Sequence, residues 1–580
     1  MDNILTLKYI LNKEGSFGKL WQLFRRHFIH NGFASTLTLW NTNKKEAIFK
    51  KWAISKNKKI TILATPHTIF IANLISNSLE KIGISSQIEI NNNKKKFSEN
   101  LYFVICPQSF KTLPKNRIVF QLEQSISNRW FSKKHIKKLE NSLLVMDYSL
   151  KNIEFLSTHL PLSQLYFTPI SCFKLQTEVS TSSFDNQNNV YEYDVLFYGD
   201  TNNERRKNYL DALKNKYKVK IINNAFGEDI WNEIKKSKVV INIHYYEDAL
   251  LETTRLQECL SNNAIIVSEK SSDFEQHDNL MPYIDFVEIG DIEGMIERID
   301  FWINHPKEYC LQKRKIYNHI TKEQHIFDFY LFRILMSLDL ISFDDFYKKT
   351  HKIWKPTDQF WCLGLPEAIE RQHEFSNELL KYNKIWKFPG VRHLTPWIGC
   401  GLSYKYIFQY AIDYNFKKVI ICEDDVKFPN DFKETLNKIC DYLCCTTNNW
   451  DIFSGYITDL HPESNITTLE SLGKYQLIKT NKTTGMVFNI YNQPIFEYIA
   501  NWDYSKKLLG ENAIDRYIEN HKNLNVITTI PFIVNHKENV HTTLWNRSSR
   551  SFSYCEISEN SQNLIKETIK KKHSKIKNSS

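Results

Sequence analysis

The sequence predicts an α/β protein in which two Rossmann-like domains are followed by a third α/β domain. From Lys59 onward, short β-branched runs alternate with stretches of helical period, as layered βαβ units require. The alternation restarts after a linker rich in Ser, Thr and Asn at about Thr177 to Asn189. A last apolar run, Val419-Ile420-Ile421-Cys422, stops abruptly in Glu423-Asp424-Asp425. At 580 residues the chain is too long for one ordinary core, so several domains are expected.

Residues 1–55 read as helical, with Trp21, Leu23, Phe24 and Phe28 set among Lys19, Arg25 and Arg26. That pattern suits either a basic helix lying on a membrane surface or a helix packed on the first domain. Residues 56–176 make the first Rossmann-like domain, with strands at 60–64, 101–105, 118–122 and 143–146 and a helix at 69–82. Its first strand leads into Thr65-Pro66-His67-Thr68, so the glycine-rich loop of a dinucleotide fingerprint is absent. Residues 190–342 repeat the arrangement, with strands at 193–200, 218–222, 239–243 and 264–267, then closing helices. Residues 343–558 form the last domain, with a strand at 360–364, a helix at 367–382, the acidic strand, and a final strand at 531–536. Residues 559–580 are polar and end in lysines, a pattern expected of a disordered or membrane-surface basic tail.

The acidic strand carries the most chemistry. Ligands collect where the strands of open α/β sheets end, which puts three carboxylates at a ligand-binding edge. If the strand runs through Asp425, side-chain alternation turns Glu423 and Asp425 one way and Asp424 the other. One pair then shares a divalent cation, Mn2+ or Mg2+, whose natural partner is a diphosphate. The bland alternative is that the acids cap a helix beginning near Pro429.

Upstream lies Trp397-Ile398-Gly399-Cys400-Gly401-Leu402-Ser403-Tyr404-Lys405, and downstream Asn449-Trp450-Asp451-Ile452-Phe453. The order of these pieces resembles glycosyltransferase family 25, the lipooligosaccharide and collagen galactosyltransferase group. In that family an IGCxLSH segment precedes a strand ending in EDD and a WDI segment follows. The resemblance implies a GT-A-like domain performing an inverting, metal-assisted transfer from a nucleotide sugar, a UDP-hexose, to a hydroxyl of a glycan, lipooligosaccharide or glycoprotein. By the same match Ser403 and Gly485 would meet the donor, and Glu423, Asp424 and Asp425 the metal, with His536 or His541 completing it. Asp515 would be the base, with Glu511 as the second choice, since two acids four apart share one face of a helix. The family's LSH histidine is Tyr404 here, which cannot serve as an imidazole base or cation.

Residues 190–342 resemble the nucleotide-binding half of GT-B glycosyltransferases, particularly the family 1-like and CgeB-like branch. The likeness rests on Phe197-Tyr198-Gly199 leading to Arg205-Arg206, and on Arg255 to Val267, which is similar to that group's LEAMACGxPVV segment. It implies that Glu258 accepts from the nucleotide ribose and that Arg205, Arg206 and Arg255 meet the diphosphate. The segment's glycine is Asn263 here, and the earlier family glutamate falls on Leu250 or its neighbours. A degenerate or acceptor-binding role for this half therefore stands beside catalysis.

With 76 basic and 65 acidic residues the net charge is +11, much of it in short lysine runs. That suits anionic ligands or surfaces, and nucleic acid is not expected as a partner. The eleven scattered cysteines suit reduced thiols in a cytosolic protein. The rival from another class is a carbohydrate-binding or assembly protein whose catalytic features have decayed.

Overall fold

The computed structural model describes residues 39–56, 58–91, 93–126, 130–175, 191–356, 359–447, 449–482, 484–505, 509–538 and 553–579, with Thr6 and Tyr9. Trp21, Leu23, Phe24, Phe28 and His541 lie outside the described residues. The chain divides into two compact units, Met1–Leu331 and Phe332–Ser580. The second begins eleven residues before the start at 343 expected from sequence.

Unit 1 holds two parallel sheets. The first has six strands in the order β2-β1-β3-β4-β5-β6, formed by β1 (Ile60–Ala64), β2 (Ser86–Ile90), β3 (Leu101–Ile105), β4 (Arg117–Gln121), β5 (Leu144–Asp147) and β6 (Leu165–Phe167). β1, β3, β4 and β5 are buried along their whole length, as strands covered on both faces must be. The second sheet runs β11-β10-β9-β7-β8, from β7 (Tyr193–Tyr198), β8 (Val219–Ile222), β9 (Ser237–Asn242), β10 (Ile265–Glu269) and β11 (Asp285–Val287). The helix Thr253–Ser261 links β9 to β10, with Glu252 at its N-cap position. At its far end Asn263 takes φ +56°, the left-handed turn for which the related segment uses glycine.

Unit 2 is built on an eight-stranded mixed sheet in the order β13-β12-β14-β19-β16-β20-β18-β17. Its strands are β12 (Phe360–Gly364), β13 (Trp386–Pro389), β14 (Lys418–Glu423), β16 (Ile452–Ser454), β17 (Thr467–Leu472), β18 (Tyr475–Thr480), β19 (Phe488–Asn492) and β20 (Val526–Ile530). β14 lies parallel to β12 and antiparallel to β19. A separate ribbon pairs β15 (Val426–Lys427) with β21 (Asn535–His536), setting Val426 opposite His536. The strand expected over 531–536 is thus only its last two residues.

Two close approaches lock the helix Pro396–Asp413 in place. A Cβ on Gly401 would come within 2.4 Å of the ring of Trp502, which is fully buried and donates from Nε1 to the Asn512 carbonyl at 3.0 Å. A Cβ on Gly399 would stand 2.9 Å from the Val391 carbonyl oxygen.

Two expectations are corrected here. The tail from 559 belongs to a helix, Tyr554–Ser579, because Ser558, Ser561 and Ile565 fall on one face and are buried, Ile565 within the unit's main core. Glu511 and Asp515 do not share a helix face. Ala513, with ψ 141°, is extended and separates the short helix Leu509–Asn512 from Ile514–Glu519.

Candidate functional site

The carboxylates of unit 2 gather where β14 ends. The strand stops at Glu423, and Asp424 and Asp425 form the turn into β15, so the expected alternation breaks after Glu423. Asp424 and Asp425 are the ones brought together. Arg371, on the helix Ile369–Leu379, donates from Nε to Asp424 Oδ1 at 2.7 Å and from Nη2 to Asp425 Oδ2 at 2.8 Å. Gln372 Nε2 holds the other Asp424 oxygen at 3.2 Å. The acids do not cap the following helix, whose N-cap position is Asp431.

His536 stands beside them through the β15–β21 ribbon. Its Nε2 is 3.3 Å from Asp425 Oδ2, and its Nδ1 is 2.6 Å from the Lys537 carbonyl. A carbonyl only accepts, so Nδ1 carries the proton and a neutral ring points its Nε2 lone pair at the carboxylate. The contact becomes attractive when a proton or a cation lies on Nε2. Asp425 Oδ1 is buried and has no hydrogen-bond partner.

Electrostatics separates the three acids. Glu423 keeps part of its surface open, yet burial, reinforced by Asp425, pushes its carboxyl up to about 8. Burial also raises Asp424 against the pull of Arg371. Burial works against ionised Asp425 too, but Arg371 outweighs it, joined by His536 when Nε2 carries a proton, and holds this carboxyl below its usual range. Lys537 is buried nearby, its Nζ 3.4 Å from the Asp424 carbonyl oxygen. Burial raises the Cys400 thiol, and Glu423 and Asp515, both within electrostatic reach, add to the shift.

The remaining sequence-predicted residues fall unevenly. Asp515 is partly exposed, within electrostatic reach of Glu423, and accepts from its neighbour's amide, Arg516 N, at 2.9 Å. Glu511 is exposed on the separate short helix. Ser403 is buried and spent on the backbone, accepting from Val391 N at 2.8 Å and donating to Gly399 O at 2.7 Å. Tyr404 is fully buried against Tyr491 and Phe408, part of the core. Gly485 has φ +122°, and a Cβ there would press on Thr458 at 3.2 Å. Arg371, Lys537 and Cys400 were not singled out for this site from sequence. Arg371 stands 53 positions from Asp424, a separation across which local spacing gives no signal.

Unit 1 has its own cleft, of about 280 Å³, at the carboxyl ends of both its sheets. His67, Gln124 and Tyr148 line it from the first sheet, and Tyr198, Arg255 and Glu258 from the second. Glu258 accepts from Trp231 Nε1 at 2.9 Å and Tyr198 Oη at 3.3 Å, and burial raises its carboxyl despite both. Arg255 reaches Asn242 Oδ1 at 2.8 Å and lies over the Tyr198 ring. Gly199 takes φ +140° there, a conformation that strains any side-chain-bearing residue, and a Cβ would also displace Arg255 Nη2, 2.9 Å away. Arg205 and Arg206 do not line the cleft. Arg205 is clamped on Glu269, and Arg206 donates to Ile243 O at 2.9 Å, Asp200 O at 2.8 Å and Glu252 Oε1 at 3.2 Å.

The comparisons with known proteins bear on unit 2 most directly. The family described as glycosyltransferase family 25 (LPS biosynthesis protein) matches residues 339–485. No curated protein matches the chain. Among solved structures the chain is similar to sucrose-phosphate synthase from Thermosynechococcus elongatus, at 8% identity and TM-score 0.35, over 49% of this chain and 100% of that one. It is similar to HepE of Anabaena in complex with UDP and glucose, at 11% identity and TM-score 0.34, over 49% and 100%. A third, WaaG, a glycosyltransferase involved in lipopolysaccharide biosynthesis, shows 10% identity and TM-score 0.33 over 49% and 99%. Residues 339–485, and with them the acidic end of β14, are a glycosyltransferase family 25 domain.

Proposed function

We propose that unit 2 transfers a hexose from a nucleotide sugar, a UDP-sugar, to a hydroxyl of a glycan, lipooligosaccharide or glycoprotein. The observation that carries this reading is the convergence of Glu423, Asp424, Asp425, Asp515 and His536 at one sheet edge within and beside the family 25 domain. Asp515 is the base. It takes the proton of the acceptor hydroxyl as that oxygen attacks the anomeric carbon, while the bond from that carbon to the diphosphate breaks and the nucleotide leaves with the electron pair. Glu511, exposed on the neighbouring helix, remains the second choice.

A divalent cation, Mn2+ or Mg2+, is implied by the family resemblance. Among the described residues no group of three or more His, Cys, Asp or Glu side chains could hold a metal ion. Two ligands fit nonetheless: the unpartnered Asp425 Oδ1 and the Nε2 of His536. One or two protein ligands, with water and substrate phosphate, suffice for a catalytic Mg2+. Such an ion would carry charge of the departing diphosphate. Arg371 keeps the two aspartates in place, and Lys537 adds positive charge beside them.

For unit 1 we propose a nucleotide-binding cleft in which Glu258 meets the ribose and Arg255 the diphosphate. Leu250, among the positions on which the earlier family glutamate falls, is fully buried, which favours binding over a second transfer. Arg205 and Arg206 serve this cleft by bracing the loops around it. The cytosol, where eleven free cysteines would persist, is the compartment this reading expects; no described helix is long and apolar enough to cross a membrane.

The test is release of free nucleotide from a panel of nucleotide sugars, with and without Mn2+, for the wild type, Asp425→Ala and Glu258→Ala. Turnover that needs Mn2+ and is lost in Asp425→Ala supports the reading. A donor that binds equally with and without Mn2+ and is never turned over sinks it in favour of a binding protein.

A further inference from the structure

His536 reaches Asp425 from a two-residue strand, and something must hold its ring in that pose. The ribbon fixes the backbone, since Val426 pairs with His536 and Lys537 N donates to Asp425 O at 2.9 Å. The Nδ1 contact to the Lys537 carbonyl at 2.6 Å restrains the ring along one edge. A second contact comes from 18 positions downstream, beyond the family-matched residues. The ring of Tyr554 lies flat on the imidazole, with centroids 3.5 Å apart and planes 10° apart.

Tyr554 is itself held at three points. Its backbone N–H donates to Glu538 Oε2 at 2.9 Å, and the next N–H, of Cys555, donates to the other Glu538 oxygen. Its carbonyl accepts from Tyr456 Oη at 3.0 Å. Further along the same helix Ile565 is buried in the core of unit 2. Asp425 and Glu423 lie within electrostatic reach of its phenol. With its backbone so anchored, Tyr554 covers one face of the imidazole while Nε2 faces Asp425.

We propose that Tyr554 is a positioning residue for the transfer site, fixing the imidazole of His536 so that Nδ1 donates to the backbone and Nε2 faces Asp425. The proposal rests on the function argued above for what that site does, but the pose itself is testable without it. It makes the helix Tyr554–Ser579 part of the site, although the family 25 match ends at 485. Groups that orient a metal-ligating histidine typically change metal affinity by about 10- to 100-fold when removed, and that is the scale expected here.

The experiment uses the full chain labelled with 15N-histidine, comparing wild type, Tyr554→Ala, Tyr554→Phe and Ile565→Ala. The first readout is the ring 15N and 1H resonances of His536, assigned by their loss in His536→Gln. The second is Mn2+ affinity, from the free-ion electron paramagnetic resonance signal, with Asp425→Ala as the blank. Tyr554→Ala should abolish the single Nδ1–H tautomer, remove the ring-current shift and weaken Mn2+ at least 10-fold. Tyr554→Phe, which keeps the stack, should stay within twofold of the wild type in affinity. Ile565→Ala should lower the melting temperature and leave both readouts in place, separating positioning from loss of helix packing. An unchanged tautomer and ring-current shift in Tyr554→Ala overturns the proposal. If the tautomer responds while the wild type binds no Mn2+, the positioning role stands and the metal part of the proposed function fails.

Discussion

In unit 1 two of the three arginines that sequence offers for a diphosphate are consumed at home: Arg205 by Glu269, and Arg206 by Glu252 and two backbone carbonyls. In unit 2 the balance tips the other way. Arg371 and Lys537 stand among Glu423, Asp424, Asp425 and Asp515, and one buried carboxylate oxygen is left without a partner. The contrast teaches that motif arginines and motif acids cannot be read alike. An arginine near a loop is often the brace that holds it, whereas acids left in excess of their cations at a strand end draw in a positive ligand.

The largest effect should come from the base. Asp515→Asn is expected to cut donor turnover about 100- to 10,000-fold while leaving the melting temperature within error, because the side chain is partly exposed and bonded only to the adjacent amide. Turnover kept within a few-fold would move the base elsewhere. Next is Arg371→Met, which strands two buried carboxylates and should cost about 3–5 kcal/mol in urea unfolding. A neutral result would mean that the acids are already balanced by other charge, and the contrast with unit 1 would collapse.

The arginines of unit 1 sharpen the same comparison. Arg205→Ala should destabilise by about 3 kcal/mol, since Glu269 is left fully buried without its cation, and should change UDP affinity little at a temperature where the variant is folded. Arg255→Ala should do the reverse, weakening UDP binding to the cleft about tenfold by the loss of a charge-assisted bond, with a small change in melting temperature. Exchanged outcomes would reassign the diphosphate to Arg205. The smallest effect is expected of Glu511→Ala, within about 0.5 kcal/mol in stability, as for exposed positions generally, and within twofold in turnover.

The parts of this molecule that follow from local periodicity were legible. The strands β1, β3 and β12 fall where apolar runs place them, and the acidic strand end was found on the same ground. What sequence could not show is who answers whom across long separations. Arg371 meets Asp424 over 53 residues, Arg205 meets Glu269 over 64, and Tyr554 returns to His536 after the family pattern has ended. Spacing also misled where the backbone changes course. A spacing of four from Glu511 to Asp515 implies one helix face only if Ala513 is helical, and it is extended. The alternation assumed for Glu423 and Asp425 needed a strand that continues, and it turns at Asp424. Ser403 read as a donor contact because it sits in a motif, yet its hydroxyl is used to fasten a helix.

That fastening extends to Gly401, one side chain's width from Trp502. In a genetic screen for inactive alleles, Gly401 substitutions would emerge beside lesions at Asp425 and look like damage to the active site. Their effect would be on abundance: a displaced indole loosens the fold, and a few kcal/mol is enough to send the chain to the cell's proteases. Immunoblots of the recovered alleles would sort the two kinds, with steady protein for the acid lesions and depleted protein for the glycine ones.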